Sequence, residues 1–127
     1  MMADALWVIA AAVLNFLLGA VWYSVFGKSW LSAWKLGKDD IRPNDPKPYL
    51  IAFIGSLYAS YGLFLMLKHI QPQDFIEQLT LAVGTWLFIQ VGLGAKHYAF
   101  ARVSGKAFAI DYGLDLVGII LMTFIVY

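Results

Sequence analysis

The sequence predicts an all-α fold: a four-helix transmembrane bundle with a short interfacial helix after the first span. Three observations predict it. Hydrophobic residues make up 61% of the 127 and charged residues 13%, against roughly 45–50% and roughly 25% in soluble domains. Four apolar stretches, at residues 6–26, 49–67, 76–95 and 107–127, are each close to the ~20 residues that cross ~30 Å of hydrocarbon as a helix. None alternates with the two-residue period of a membrane barrel, so helices must satisfy the backbone inside lipid.

The first stretch lacks a basic leader and carries Asp4. Its apolar run of about 20 residues exceeds the roughly 7–15 of a signal peptide, so it is read as a retained span. In residues 28–36, Trp30, Leu31 and Trp34 interleave with Lys28 and Lys35. This is the pattern of an interfacial helix with tryptophans at headgroup level. Residues 38–48 hold three prolines and mixed charges, a solvated linker. Between the second and third spans, Pro72 and Asp74 suit a turn followed by an N-cap. Ser104-Gly105 marks the turn before the last span. The chain reads as a single integral membrane domain.

Charge sets the expected orientation. The first and third connections carry eight of the nine Lys and Arg side chains, and the opposite side has Lys68. The positive-inside rule then places these connections in the cytoplasm and both termini outside. The net charge of +1 shows no nucleic-acid footprint. The absence of cysteine excludes disulfides and thiolate chemistry. With His69 and His97 alone, no metal site of histidines is expected in one subunit, and no cofactor. The Gly92 and Gly94 pair follows no strand and is not a nucleotide motif. No enzyme is predicted.

Function is sought where polarity is costly. An acid at a helix centre costs about 2.5–3.5 kcal/mol on insertion scales. Asp111 and Asp115 lie four apart on one face of the last span, continued by Gly118 and Met122. Asp115 is the deeper. Asp111 is either an interfacial cap or ion-pair partner of Lys96, Arg102 or Lys106, or part of a polar path. Asp115 is either hydrogen-bonded inside the bundle, to Asn15 or Gln90, or functional. Asn15 and Gln90 read as helix glue or as path residues. His97 reads as an interfacial residue or a proton-exchange partner for an acid. Ala11, Asn15 and Gly19 share a face, as do Gln90, Gly94 and His97. Ala52, Ser56 and Ser60 form a small-residue stripe. Trp22, Tyr23, Tyr98 and Tyr112 fall near the cytoplasmic boundary, where aromatics anchor helices.

Residues 15–41 resemble a known family. Asn15, Gly19, Trp22, Tyr23, Ser24, Phe26, Gly27, Lys28 and Trp30 are similar to the opening of the domain-of-unknown-function family numbered 1761. Those are small bacterial and archaeal membrane proteins. Phe100, Arg102, Asp111 and Tyr112 resemble its closing pattern, while Asp115 departs from it. The resemblance implies four spans and a bacterial cytoplasmic (inner) membrane; it implies no activity.

Two function classes follow. In one, the protein is a small oligomeric transporter or channel-like subunit. Asn15, Gln90, His97, Asp111 and Asp115 then handle a proton, a cation or a small cationic solute. In the other it is a scaffold, accessory subunit or lipid-binding protein. Trp22, Tyr23, Lys28, Trp30 and Trp34 then meet lipid or a partner. Small-residue faces predict a symmetric homo-oligomer, a dimer or trimer, among membrane lipids.

Overall fold

A computed structural model describes residues 2–41 and 44–127. Arg42, counted among the basic side chains, and Pro43, one of the linker prolines, lie outside the described residues, as does the side chain of Lys38. The helices are α1 (Met2–Trp34), α2 (Lys47–Ile70), α3 (Phe75–Phe100) and α4 (Gly105–Val126). All four are long and apolar enough to cross a membrane, and no strand occurs among the described residues. This is a multi-pass membrane protein. Its burial pattern agrees: Val25, Tyr58 and Phe88 are exposed, whereas Ser56, Ser60 and Thr123 are buried.

One expectation is corrected. Residues 28–34 are helical, but they form no separate interfacial helix. They continue α1 as a single helix of 33 residues, about 50 Å long at ~1.5 Å per residue. The physical reason is local: Gly27 is the only weak helix former at the junction, and no proline interrupts it. The helix stops where Lys35 turns left-handed, with φ 57°. There Leu36 N–H donates to Leu31 O at 2.9 Å and Lys35 N–H to Ser32 O at 3.1 Å, the Schellman pattern. Arg102 ends α3 the same way, at φ 57°, with Val103 N–H on Tyr98 O at 3.0 Å.

The remaining boundaries follow side-chain chemistry. Asp74 caps α3 by accepting from Glu77 N–H at 2.8 Å, and Glu77 in turn accepts from Gln73 N–H at 2.7 Å. Ser104 caps α4 by accepting from Ala107 N–H at 3.3 Å. The linker after α1 contains one 3-10 turn, Lys38–Asp40. Within α3, the segment Thr85–Val91 is wound as a π-helix.

Helix α4 is central and packs on the other three, while α1 also packs along α2. The buried apolar cluster includes Val8 and Ala11 of α1, Leu63 and Leu67 of α2, Ala82 of α3, and Ile119, Met122 and Val126 of α4. Every one lies towards the end of the bundle that carries the termini. The opposite end, here the basic end, joins α1 to α2 and α3 to α4. There is little apolar filling there, and that is where the polar side chains gather.

Candidate functional site

Asp111 sits on the first turns of α4 and accepts four hydrogen bonds. Tyr23 Oη donates to Oδ1 at 2.5 Å and Trp30 Nε1 to the same oxygen at 2.7 Å. Tyr98 Oη donates to Oδ2 at 2.6 Å and Trp34 Nε1 to Oδ2 at 3.2 Å. An ionised carboxylate offers about four lone-pair sites, so this one is saturated by neutral donors. None of the described lysines or arginines supplies a donor. The rings pack on each other: Tyr23 on Trp30 at 5.5 Å between centroids, Trp34 on Tyr98 at 5.4 Å, and Tyr98 on Tyr112 at 5.6 Å. Edge-to-face packing of this kind holds the donors in place. The cage therefore ties the far end of α1 to α3 and α4.

Asp115, one turn deeper, has different surroundings. Gln90 Nε2 donates to its Oδ2 at 2.5 Å. Its other oxygen accepts no hydrogen bond from the described residues. Gln90 belongs to the π-helical turn, whose wider winding carries one extra residue and often marks functional sites. The same turn directs Trp86 Nε1 to Tyr112 O at 2.7 Å. Two side chains of α3, four residues apart, thus reach α4 together.

Asp115 lines a cleft of about 1220 Å³ between α1, α2, α3 and α4. Asn15, Ser56, Gln90 and Thr85 add polar groups deep within it, and Tyr23 and Trp30 form part of the wall. Asp40 and Asp45 lie along it towards the basic end. No lysine, arginine or histidine lines it among the described residues. Along its middle, α2 offers a stripe of small residues to the cleft, Ala52, Gly55, Ala59 and Gly62. Asp111 is not part of the lining.

Two close approaches fix this geometry. Asn15 Nδ2 donates to Ser56 Oγ at 2.9 Å, while its Oδ1 lies 2.2 Å from where a Cβ on Gly118 would stand. Gly94 is closer still to Tyr112, whose Oη lies 1.6 Å from a Cβ added there. Ser60 Oγ bonds Val8 O at 2.7 Å and Trp22 Nε1 bonds Ile110 O at 2.9 Å.

Of the residues singled out in the sequence, Asn15, Gln90 and Asp115 share the cleft. The partner of Asp115 is Gln90; Asn15 pairs with Ser56. Asp111 is set apart in its cage. His97 is exposed and away from both acids, because the inward position four on from Gly94 is Tyr98. Lys28 is exposed. Trp30 and Trp34 aim their indole N–H groups at Asp111, and Trp22 aims its own at the α4 backbone. A first span that ends at residue 26 hides the cage, whereas α1 runs unbroken to Trp34. Carried on without a break, it places Tyr23, Trp30 and Trp34 at i, i+7 and i+11, one stripe of a 3.6-residue helix.

Residues 6–127 match the model of a family described as "Protein of unknown function (DUF1761)". No curated protein and no solved structure matches the chain.

Proposed function

Because the chain belongs to the DUF1761 family, whose description assigns no activity, we propose a function from the site alone: a small transporter or channel-like membrane protein that admits a cationic solute to Asp115. One observation carries this reading. The deepest acid lines a cleft of about 1220 Å³ and keeps one oxygen without a hydrogen bond from the described residues. A carboxylate retained in a spanning helix needs compensation, and a single glutamine amide is a partial one. A cation completes it.

Asp40, Asp45 and Tyr49 line the cleft at the basic end, and access is from that end. By the excess of Lys and Arg there, this end faces the cytoplasm of a bacterial inner membrane, with both termini outside. The working unit is a homo-oligomer, a dimer or trimer, in which a neighbouring copy covers part of the exposed apolar surface. Lipid-binding or scaffolding gains less support, since Trp30 and Trp34 direct their N–H groups inward.

The test is cation flux into vesicles reconstituted with wild type or Asp115→Asn. Wild type is expected to pass a cation, with the variant at least tenfold slower and equally folded by circular dichroism. Folded wild type that passes no cation overturns the transport reading.

A further inference from the structure

We infer that the solute at Asp115 is an organic monocation with a bulky apolar body, such as a substituted ammonium or phosphonium, and not a metal ion or a bare proton. This rests on the reading of Asp115 as the solute site.

Three features of the cleft point to that class. The first is ligand count. Hard metal ions take about six to eight oxygen ligands, or six in strict octahedral geometry. Among the described residues, no group of three His, Cys, Asp or Glu side chains is placed to hold a metal. Asp115 has Asn15, Ser56 and Gln90 in the same cleft, but Asn15 turns its Nδ2 to Ser56 Oγ and packs its Oδ1 against Gly118. Gln90 directs its donor, not its acceptor, at Asp115. That arrangement neutralises one charge and coordinates nothing.

The second is size. A cleft of about 1220 Å³ exceeds the ~300–1,000 Å³ typical of drug-sized ligands. A relay for protons or dehydrated ions needs no such space.

The third is the character of the walls. Leu63, Met66, Leu114, Ile119 and Met122 offer apolar surface at the level of Asp115 and beyond. Nearer the basic end, Tyr23, Trp30 and Tyr49 line the cleft, and aromatic faces attract organic cations. An apolar body would remain there while its charge met Asp115. The small side of α2 leaves the room: a Cβ on Gly55 or Gly62 meets nothing within 4 Å.

The experiment is equilibrium binding of radiolabelled tetraphenylphosphonium to purified protein in mild detergent, with empty micelles subtracted. Triphenylphosphine oxide serves as the neutral competitor, and sodium and calcium as metal competitors. Two variants are compared, Asp115→Asn, which removes the charge, and Gly55→Phe, which fills the cleft without touching the acid. Saturable binding that weakens at least tenfold in each variant, and that neither the oxide nor the metals displace, is expected. Equal competition by the neutral oxide overturns the inference, as does unchanged binding by Asp115→Asn. Absent binding by wild type, alongside proton or sodium flux that depends on Asp115, overturns the inference and leaves the transport reading standing. Binding as expected, with no cation crossing vesicles, sustains the inference and removes transport.

Discussion

Gln90 donates to Asp115 across the α3–α4 interface from inside a π-helical turn. Trp86, four residues earlier in the same turn, donates to Tyr112 O, so both side chains bridge to α4. Replacing Gln90 with Leu leaves Asp115 with no donor among the described residues. The expected loss is about 1–2 kcal/mol, bracketed by hydrogen bonds to charged groups and by polar pairs measured in membranes. Asp115→Asn retains an acceptor for Gln90 and is expected to stay within about 0.5 kcal/mol of wild type. Unfolding in mixed micelles checks both. A Gln90→Leu variant as stable as wild type shows that the pair contributes nothing to the fold.

The Asp111 cage predicts a steeper response. Asn at that position keeps one carbonyl oxygen and turns an NH₂ towards donors. A loss of roughly 3 kcal/mol is expected, from missing charge-assisted bonds and stranded donors. Tyr23→Phe removes one donor of four and is expected to lose about 1 kcal/mol. In the double variant the effect of Tyr23→Phe should shrink towards zero, since the acceptor has gone. Additive effects in this cycle would mean that the two residues act separately.

Glycine tolerance should divide by position. At Gly94 an added methyl meets the Tyr112 ring, with Oη at 1.6 Å and Cζ at 2.4 Å. Gly94→Ala is therefore expected to cost about 1–3 kcal/mol. Truncating the obstacle by Tyr112→Ala should recover part of that loss in the double variant. At Gly118 the obstacle is Asn15 Oδ1, and Asn15→Ala should relieve Gly118→Ala in the same way. Gly55→Ala and Gly62→Ala meet nothing within 4 Å and are expected to be neutral or slightly stabilising. Thermal unfolding of the set reads the ranking directly.

Access to the cleft can be mapped with single cysteines, because the native chain has none. Cysteines replacing Asp45, Tyr49 or Ala52 line the cleft and should react with a membrane-impermeant maleimide applied at the basic end. Cysteines replacing Val8 or Leu67, in the apolar cluster, should stay unlabelled from either side. In intact cells the first group should label only after the membrane is opened, which also tests the proposed orientation. Labelling of the first group from outside would reverse the proposed sidedness.

The fold was largely legible in the sequence because lipid imposes a simple rule on it. Apolar runs of helical length announce spans, and the caps at Asp74 and Ser104 announce two helix starts. The faces were legible too, where a regular helix carried them: Ala11, Asn15 and Gly19 pack inward, as do Ser56 and Ser60. Prediction failed at particular side chains. Beyond the π turn α3 is regular again, and Tyr98, four on from Gly94, takes the inward position while His97, three on, is exposed. The unbroken passage from the first span into residues 28–34 hid the stripe that cages Asp111. Tryptophans near a lipid boundary invite the anchoring interpretation, and nothing in local composition says that their N–H groups turn to an acid on another helix. The small residues of α2 that leave room for the cleft were legible, but a small-residue stripe reads equally as a packing face, and only the packed helices show a void there.

The length of α1 has a mechanical consequence. A rod of about 50 Å is fastened near one tip, where Ser60 of α2 donates to Val8 O, and near the other, where Trp34 donates to Asp111 and Ser104 donates to Ala33 O. Between those rivets it flanks the cleft. Leverage follows: a small tilt pivoting about the apolar cluster sweeps the distant tip through a larger arc. The aromatic cage is what resists that swing, so the stiffness of the opening is governed by a carboxylate that never touches the space it guards.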